Sequence, residues 1–451
     1  MSSPAGKSLS STIPYVSGAL AEGGHFAEFC EHPARFLMRA HAECGELAEF
    51  DQGGMRTVLM VGPEAHEAVF RASDEQLSAA LAYQYMVPVF GKGVQYGAPL
   101  EIERQQLRMH ASGLRAERMT YYAPVIGRET HDWTADWGEE GELDFYEAFA
   151  DLTIKTSTHC LLGAEFRYTL TDEFAALYHD LGAAVDAAGT VDHTGRKAAY
   201  ERRDQARARL GELITSRVQA RRASGEEHDD LLQVYMNSTY LDGGKLSDDQ
   251  IAGMVVWFMF AGHHTSANTA AWTLVELARY PEFAAEVVEE IDALHAEDPE
   301  FGFRTLRRMP RMEGFVREIL RMHPPLNALC RRVVQDFHYK AAVIEAGKNV
   351  MLSPYVAHRL PEYFPDPERF DPHRPEPENK FAYIPFGGGQ RKCVGNAFAI
   401  LQVKRIFCEL LRNFEFELAG PPGTYVEIMP SLILRPSDPC ILRYRRRRRA
   451  A

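Results

Sequence analysis

The stretch that most limits what this chain can become runs from Asp248 to Tyr280. Ser247 and Gln250 stand at capping-box spacing at its start and Pro281 ends it. It therefore reads as one helix, roughly 50 Å long at about 1.5 Å per residue. Its middle, "MVVWFMFAGHHTSANTAAWTL", is apolar on every face. A surface helix keeps a polar stripe; this one has none, so it must cross the interior and the rest of the chain must wrap it. The apolar run "IAGMVVWFMFAG" stops after about 12 residues, short of the roughly 20 that a membrane span needs.

The chain can supply that wrapping, with 451 residues that are 45% hydrophobic and 11% aromatic. No Gly/Ser linker, composition shift or repeat divides it, so one domain is expected over residues 1–451, with flexible ends at 1–20 and 445–451. Helical patterns dominate from about residue 102 to residue 325, and a second clear amphipathic helix covers Asn396 to Phe414. "GELAEFDQGGMRTVLMVGP" reads as two strands around a Gly-Gly turn. The expected fold class is mainly α with a small β region.

Fifty Lys and Arg against 63 Asp and Glu give a net charge of −13, which argues against nucleic acid as a partner. The basic run Arg445 to Arg449 is either a solvated end or a docking patch for a partner or a membrane surface. The N-terminus lacks the basic start and apolar core of a signal peptide, so a soluble, cytoplasmic protein without a transmembrane segment is expected.

Seven cysteines, at 30, 44, 160, 330, 393, 408 and 440, form no CxxC pair and are odd in number. Disulfide frameworks and zinc knuckles are both disfavoured. Only one cysteine has informative neighbours. In "FGGGQRKCVGNAFAILQVKRIFCELL", a glycine-rich loop delivers Cys393 to the start of a helix, where backbone N–H groups and the helix dipole favour a thiolate. Gly387, Gly388, Gly389 and Gly395 leave room for a flat group, and Arg391 supplies a fixed cation. An electron-rich sulfur, a snug loop and a cation for carboxylates suit a haem iron with its propionates. A buried cysteine behind a glycine loop is the plainer alternative.

His263 and His264 sit in the middle of the interior helix. Adjacent helical residues point about 100° apart, so the two cannot share a metal ion. No His, Glu or Asp at 259, 260, 267 or 268 supplies a zinc partner at i, i+4. They are either hydrogen-bonded core histidines or proton carriers. Elsewhere, Glu318 and Arg321 share a helical face at i, i+3, as do Glu101/Arg104 and Glu276/Arg279.

The spacing Phe386-x-x-Gly389-x-Arg391-x-Cys393-x-Gly395 resembles the haem-binding signature of the cytochrome P-450 family. The resemblance implies that family's fold, with haem b between the long central helix and the cysteine-loop helix, Cys393 as axial ligand of the iron, and Phe386, Gly387 and Gly395 beside the cofactor. It implies that Glu318 and Arg321 join the Arg of an F-x-P-x-R segment, here Phe370-x-Pro372-x-Arg374, in a buried cluster. Arg369 is a nearby decoy, and Pro375 replaces the usual aromatic. In this family the central helix is kinked at small residues over the haem and carries an acid and then an alcohol that pass protons to dioxygen. Here Ala261 and Gly262 give the space, Thr265 is the alcohol and His264 replaces the acid. Histidine can carry a proton near neutral pH, so His264, Thr265 and His263 are the catalytic candidates.

"FAGHHTS" is also similar to the central-helix motif of the sterol 14α-demethylase branch, in its bacterial, soluble form. "YQYMVPVFGKGVQYGAP" matches that branch's loop over the substrate at Tyr83, Pro88, Phe90, Gly91 and Val94. "REILRMHPPLNALCRRV" places Arg331 where a propionate contact is expected. The branch implies propionate contacts from Arg391, Arg331 and Tyr83. Its apolar pocket wall would be drawn from Tyr85, Met86, Phe90, Met259, Phe260, Ala261, Leu326 and Leu329. Tyr85, in place of Phe or an aliphatic residue, and Gly97, in place of a small acid, depart from the pattern. "ERQQLRMH" lacks the expected lysine, leaving Arg104, Arg108 or His110 as propionate partners.

The implied activity is three successive oxidations of a sterol 14α-methyl group with dioxygen. The alternatives are another lipophilic substrate (fatty acid, steroid or terpenoid) on the same machinery, or a non-catalytic haem-thiolate sensor. No flavin or iron–sulfur module is visible in the sequence. Electrons are therefore expected from NAD(P)H through a ferredoxin reductase and a ferredoxin. Lys392, Lys404 and Arg405 are either its docking charges or ordinary solvated ones.

Overall fold

The computed structural model describes residues 12–188, 193–428 and 433–448. Residues 1–11 and 449–451, parts of the expected loose ends, lie outside that range. The described residues group into two compact units, each drawn from three stretches of chain. That interleaving explains why no single linker is legible: the chain crosses between the units several times.

One unit comprises the described part of Met1–Gln84 with Asn327–Pro367 and Glu376–Lys392. Its centre is a five-stranded sheet of β1 (Leu47–Asp51), β2 (Arg56–Met60), β3 (Leu77–Ser78), β5 (Leu329–Val333) and β6 (Asn349–Leu352), in the order β1-β2-β6-β5-β3. β2 and β6 run parallel; the other pairs are antiparallel. The expected hairpin is present, with Gly53 and Gly54 at φ +69° and +91° in its turn. Val58, Met60, Phe70 and Leu352 are among the side chains of this unit's core.

The other unit contains Tyr85–Leu326, Glu368–Pro375 and the described part of Cys393–Ala451. Seven of its helices position the candidate site: α1 (Leu100–Ser112), α2 (Ala116–Thr134), α3 (Phe145–Ala188), α4 (His193–Ser224), α5 (Asp248–Arg279), α6 (Pro310–Met322) and α7 (Asn396–Asn413). The interior helix α5 runs unbroken and carries the expected capping box: Ser247 Oγ accepts from Gln250 N–H, and Gln250 Oε1 accepts from Ser247 N–H. Every residue from Ser266 to Leu277 is buried, as is every residue from Ile251 to Phe260 except Trp257. Helices α3, α4, α6 and α7 all pack against α5, which is how a rod without a polar face is kept from water. Among the described residues no helix is long and apolar enough to cross a membrane.

A three-stranded sheet, β4 (Glu140–Asp144), β8 (Ile441–Arg446) and β7 (Phe414–Leu418), has β8 at its centre. This corrects the expectation of a loose basic tail. Alternation along β8 puts Arg443 and Arg445 on one face, with Arg443 opposite Glu142 and Glu417, and Arg445 opposite Glu140 and Glu415. Arg445 Nη2 meets Glu415 at 2.8 Å, and Arg447 pairs with Asp292 at 2.9 Å. Cross-strand acids, invisible in a local reading, hold the arginines in place.

Candidate active site

Cys393 lies two residues ahead of Gly395, the N-cap of α7. It is exposed, whereas Cys30, Cys160, Cys408 and Cys440 are buried and Cys44 and Cys330 half-buried. Burial pushes the thiols of Cys408 and Cys440 up to about 12 and that of Cys330 to about 11, so these stay protonated. A Cβ on Gly395 would make only an ordinary 3.8 Å contact with Cys393 Sγ.

The preceding glycines are not all clearance for a ligand. A Cβ on Gly388 would lie 2.6 Å from the Phe70 ring, and one on Gly389 would lie 2.0 Å from the Phe70 carbonyl oxygen. Protein fills that space, so these two glycines are needed for packing the loop onto Phe70. Gly387 and Gly389 also adopt φ +63° and +65°, which glycine takes without strain. In the same unit Arg391 Nε pairs with Asp74 at 3.0 Å. Arg331 donates to the Cys330 carbonyl at 2.8 Å, and the Tyr83 hydroxyl accepts the Cys330 N–H at 3.0 Å, so Tyr83 and Arg331 flank one residue. Phe386 is half-buried, as is Leu329, whose Cδ1 lies 3.7 Å from the Cβ position of Gly387.

The interior helix opens at one place. Ala261 is exposed between buried flanks, and a Cβ on Gly262 would meet nothing within 4 Å. The residues around the opening are helical throughout, and small side chains make the space. Thr265 borders the opening and donates to the Ala261 carbonyl at 2.8 Å. His263 is buried, with Nδ1 3.3 Å from Thr153 Oγ1 on α3. The Nε2 atom of His264 is enclosed and has no hydrogen-bond partner. It abuts α3 at Gly182, where a Cβ would come within 2.9 Å.

Burial, with His179 and Arg435 adding positive charge, pulls the His264 imidazole down to about 4, and burial holds His263 well below its ordinary value. The expectation of a proton carried on His264 near neutral pH is therefore corrected: the ring is neutral there. A neutral imidazole can still relay by accepting at one nitrogen and releasing from the other.

Of the remaining pocket candidates, Met86, Phe90, Met259 and Phe260 are buried, Leu326 is half-buried and Tyr85 is 42% exposed. Phe90 and Phe260 meet edge to face at 5.8 Å. Gly97 has a local reason: a Cβ would sit 2.8 Å from the Gly91 carbonyl.

The charged cluster assembles with the expected third member. Arg321 pairs bidentately with Glu318 at 2.8 and 2.9 Å, and Arg374 Nε reaches Glu318 at 3.5 Å. Glu318 also accepts the Asp371 N–H at 2.9 Å. The Arg369 carbonyl, rather than its side chain, accepts from both arginines.

Three candidates are corrected. His110 is wholly buried, with Nδ1 on the Tyr235 hydroxyl and Nε2 2.8 Å from the Gln95 amide, so both ring nitrogens are occupied and it is not a propionate partner. Lys404 and Arg405 are buried too. Lys404 donates to the Leu306 carbonyl and pairs with Glu313, and Arg405 occupies the space left by Gly127 and lies over the Phe301 ring. Neither is a docking charge; Lys392 is exposed. Sequence reasoning missed Thr153, which faces His263, and Gln402 on α7, which donates to Thr156 and Ser157 on α3. It also missed Asn268, whose enclosed amide has no protein partner. Separations of over 100 residues left no local signal.

An exposed cysteine at a helix N-terminus and, on the interior helix, an opening with an enclosed imidazole beside it are the features a haem-thiolate site would use. The residues fit the group, since the sulfur is reachable and the opening is bordered by small side chains. Residues 17–442 match the family model described as Cytochrome P450, and the chain belongs to that family.

The sterol 14alpha-demethylase of Mycolicibacterium vanbaalenii is 40% identical over 96% of this chain and 98% of its own. The obtusifoliol 14-alpha demethylase of Sorghum bicolor is 34% identical over 90% of this chain and 85% of its own. A cyanobacterial protein solved with retinoic acid bound, CYP120A1, shares the fold with a TM-score of 0.85 at 20% identity, over 96% of this chain and 99% of that one. The protein is an oxidoreductase, a monooxygenase that uses haem and dioxygen with electrons from a redox partner.

Proposed function

We propose that this monooxygenase removes the 14α-methyl group of a sterol by three successive oxidations, with release of formate. The reading rests on one observation: 40% identity across 96% of the chain to a protein named sterol 14alpha-demethylase, in a chain that itself carries His264 where the wider family has an acid. Electrons come from NAD(P)H through a ferredoxin reductase and a ferredoxin.

When bound, the haem supplies thiolate-assisted activation of dioxygen. Cys393 would hold the group through Sγ; Phe386, Gly387 and Gly395 would contact it, and Arg391, Arg331 and Tyr83 would hold its carboxylates. Thr265 Oγ1 keeps a proton at the helix opening through its bond to Ala261 O, and neutral His264 relays the next. Met86, Phe90, Met259, Phe260, Ala261, Leu326 and Leu329 form the apolar wall. The exposed phenol of Tyr85 favours a second reading, in which the same machinery takes a different lipophile.

The test is titration of the ferric protein with lanosterol-like and obtusifoliol-like sterols, read as a blue shift of the Soret band. Product analysis with a surrogate ferredoxin system follows. A sterol-induced shift with formate release supports the assignment. A carbon monoxide spectrum of thiolate-ligated haem without any sterol response sinks the sterol and keeps the monooxygenase.

A further inference from the structure

The loop between Val87 and Gly97 is tied down unevenly. Its C-terminal half is held by buried side chains of α1. Gln106 donates to the Gly93 carbonyl at 2.8 Å and accepts the Gln95 N–H at 2.8 Å. The Gln95 amide meets His110, which in turn meets Tyr235. Gln95, Gln106 and His110 are all buried, and Gln95 is locked at φ +46°. Releasing this half would strand several buried polar groups at once.

Among the described residues, one side-chain hydrogen bond reaches the N-terminal half, Val87–Phe90, and it comes from a remote helix: Arg207 of α4 donates from Nη2 to the Phe90 carbonyl at 3.1 Å. Three glycines make the slot for that guanidinium. A Cβ on Gly91, Gly211 or Gly253 would lie 2.9, 3.1 or 3.3 Å from its terminal nitrogens. Gly253 is on α5, where a Cβ would also strike the Phe90 carbonyl at 2.4 Å, so the half-loop lies along the interior helix from Gly253 to Phe260. The next residue is Ala261, where that helix opens. At the rim of the slot stands Asp249, mostly exposed, 3.5 Å from Arg207 Nη2.

We propose that Arg207 is a positioning residue, a latch that holds Phe90 over the interior helix and whose release admits substrate. Gly91 and Gly93, at φ +108° and +74°, form the hinge between the fixed and the releasable halves. Asp249 keeps the guanidinium paired when the Phe90 carbonyl departs, so opening costs one charge-assisted hydrogen bond and leaves no buried cation alone. The inference rests on reading this loop as the cover of the substrate site.

Amide hydrogen exchange of the haem-loaded protein tests it without turnover. In Arg207→Met, the amides of Val87, Val89, Phe90 and Gly91 exchange about tenfold faster, the order expected for losing a hydrogen bond to a charged group, while Gln95–Ala98 and Asn396–Asn413 are unchanged. In Asp249→Asn, which weakens the alternative partner, the same four amides exchange at least about twofold slower. Stopped-flow binding of a phenyl-substituted imidazole to the haem gives on- and off-rates that rise together in Arg207→Met.

Unchanged exchange in Arg207→Met, or acceleration that spreads to Asn396–Asn413, overturns the latch. No slowing in Asp249→Asn overturns the hand-over to Asp249. Failure of sterol turnover leaves the exchange pattern intact, so the two readings fail separately.

Discussion

Single side chains decide two of the outcomes. Glu318 is 3% exposed and faces two arginines, so Glu318→Ala leaves Arg321, itself 1% exposed, without its carboxylate. Removing one partner of such a cluster costs about 3–5 kcal/mol, here toward the lower end because the Arg369 carbonyl remains. Urea unfolding of the variant should show that loss together with low haem content; wild-type values of both would contradict the role of the cluster. The relay proposed for His264 rests on position rather than charge, since burial pulls its imidazole down to about 4. His264→Ala should lower product formed per NAD(P)H consumed by about a hundredfold, the usual scale of a lost proton relay. The Soret response to sterol should stay intact. Unchanged coupling would move the relay elsewhere.

Elements show what could and could not be read from sequence. α5 was legible almost to the residue, expected to Tyr280 and observed to Arg279, because its capping box and its apolar faces are local signals. α7 was legible as a helix but not as a buried one. Lys404 and Arg405 read as its polar face until α6, through Glu313, and the Phe301 ring cover them. The cysteine loop was legible by spacing, yet the reason for its glycines was not, because Phe70 lies over 300 residues earlier in the chain. Gly388 is extended at φ −162°, so only the Phe70 ring forbids a side chain there. Gly388→Ala should therefore destabilise by about 1–3 kcal/mol through overpacking. Combined with Phe70→Ala it should cost clearly less than the sum of the two single changes. Gly389→Ala should gain no such relief, since its obstacle is the Phe70 backbone. Additive losses in the 388/70 cycle would refute the contact.

At the scale of the whole molecule, the histidines set the acid limit. Burial lowers His110 to about 3, and lowers His66 to about 4 against the Phe381 carbonyl that favours its charged form. His264 stands at about 4. Each has a folded value below the unfolded one of about 6.5, so between those values the unfolded chain binds more protons and stability falls as pH falls. The slope is about 1.4 kcal/mol per pH unit for each such histidine once pH is below about 6. His323 opposes the trend: burial alone would lower it, but Glu276 and Glu427 hold it above its ordinary value, so its contribution is full below about 6.5 and fades as pH rises past the folded value. Carboxylates with lowered values, such as Glu129 and Asp298, lose their contribution only below about pH 4.5. The window from pH 6.5 to 5 therefore isolates the histidines: His66, His110, His264 and the likewise lowered His263 pull stability down, while the contribution of His323 is already in place. Urea midpoints should drop steadily across that window. Replacing His110 by Gln, which keeps a polar group between Tyr235 and Gln95, should lower stability at pH 7 yet flatten the slope by about one histidine's share. A profile already flat in the wild type would mean that these rings meet solvent in the folded protein.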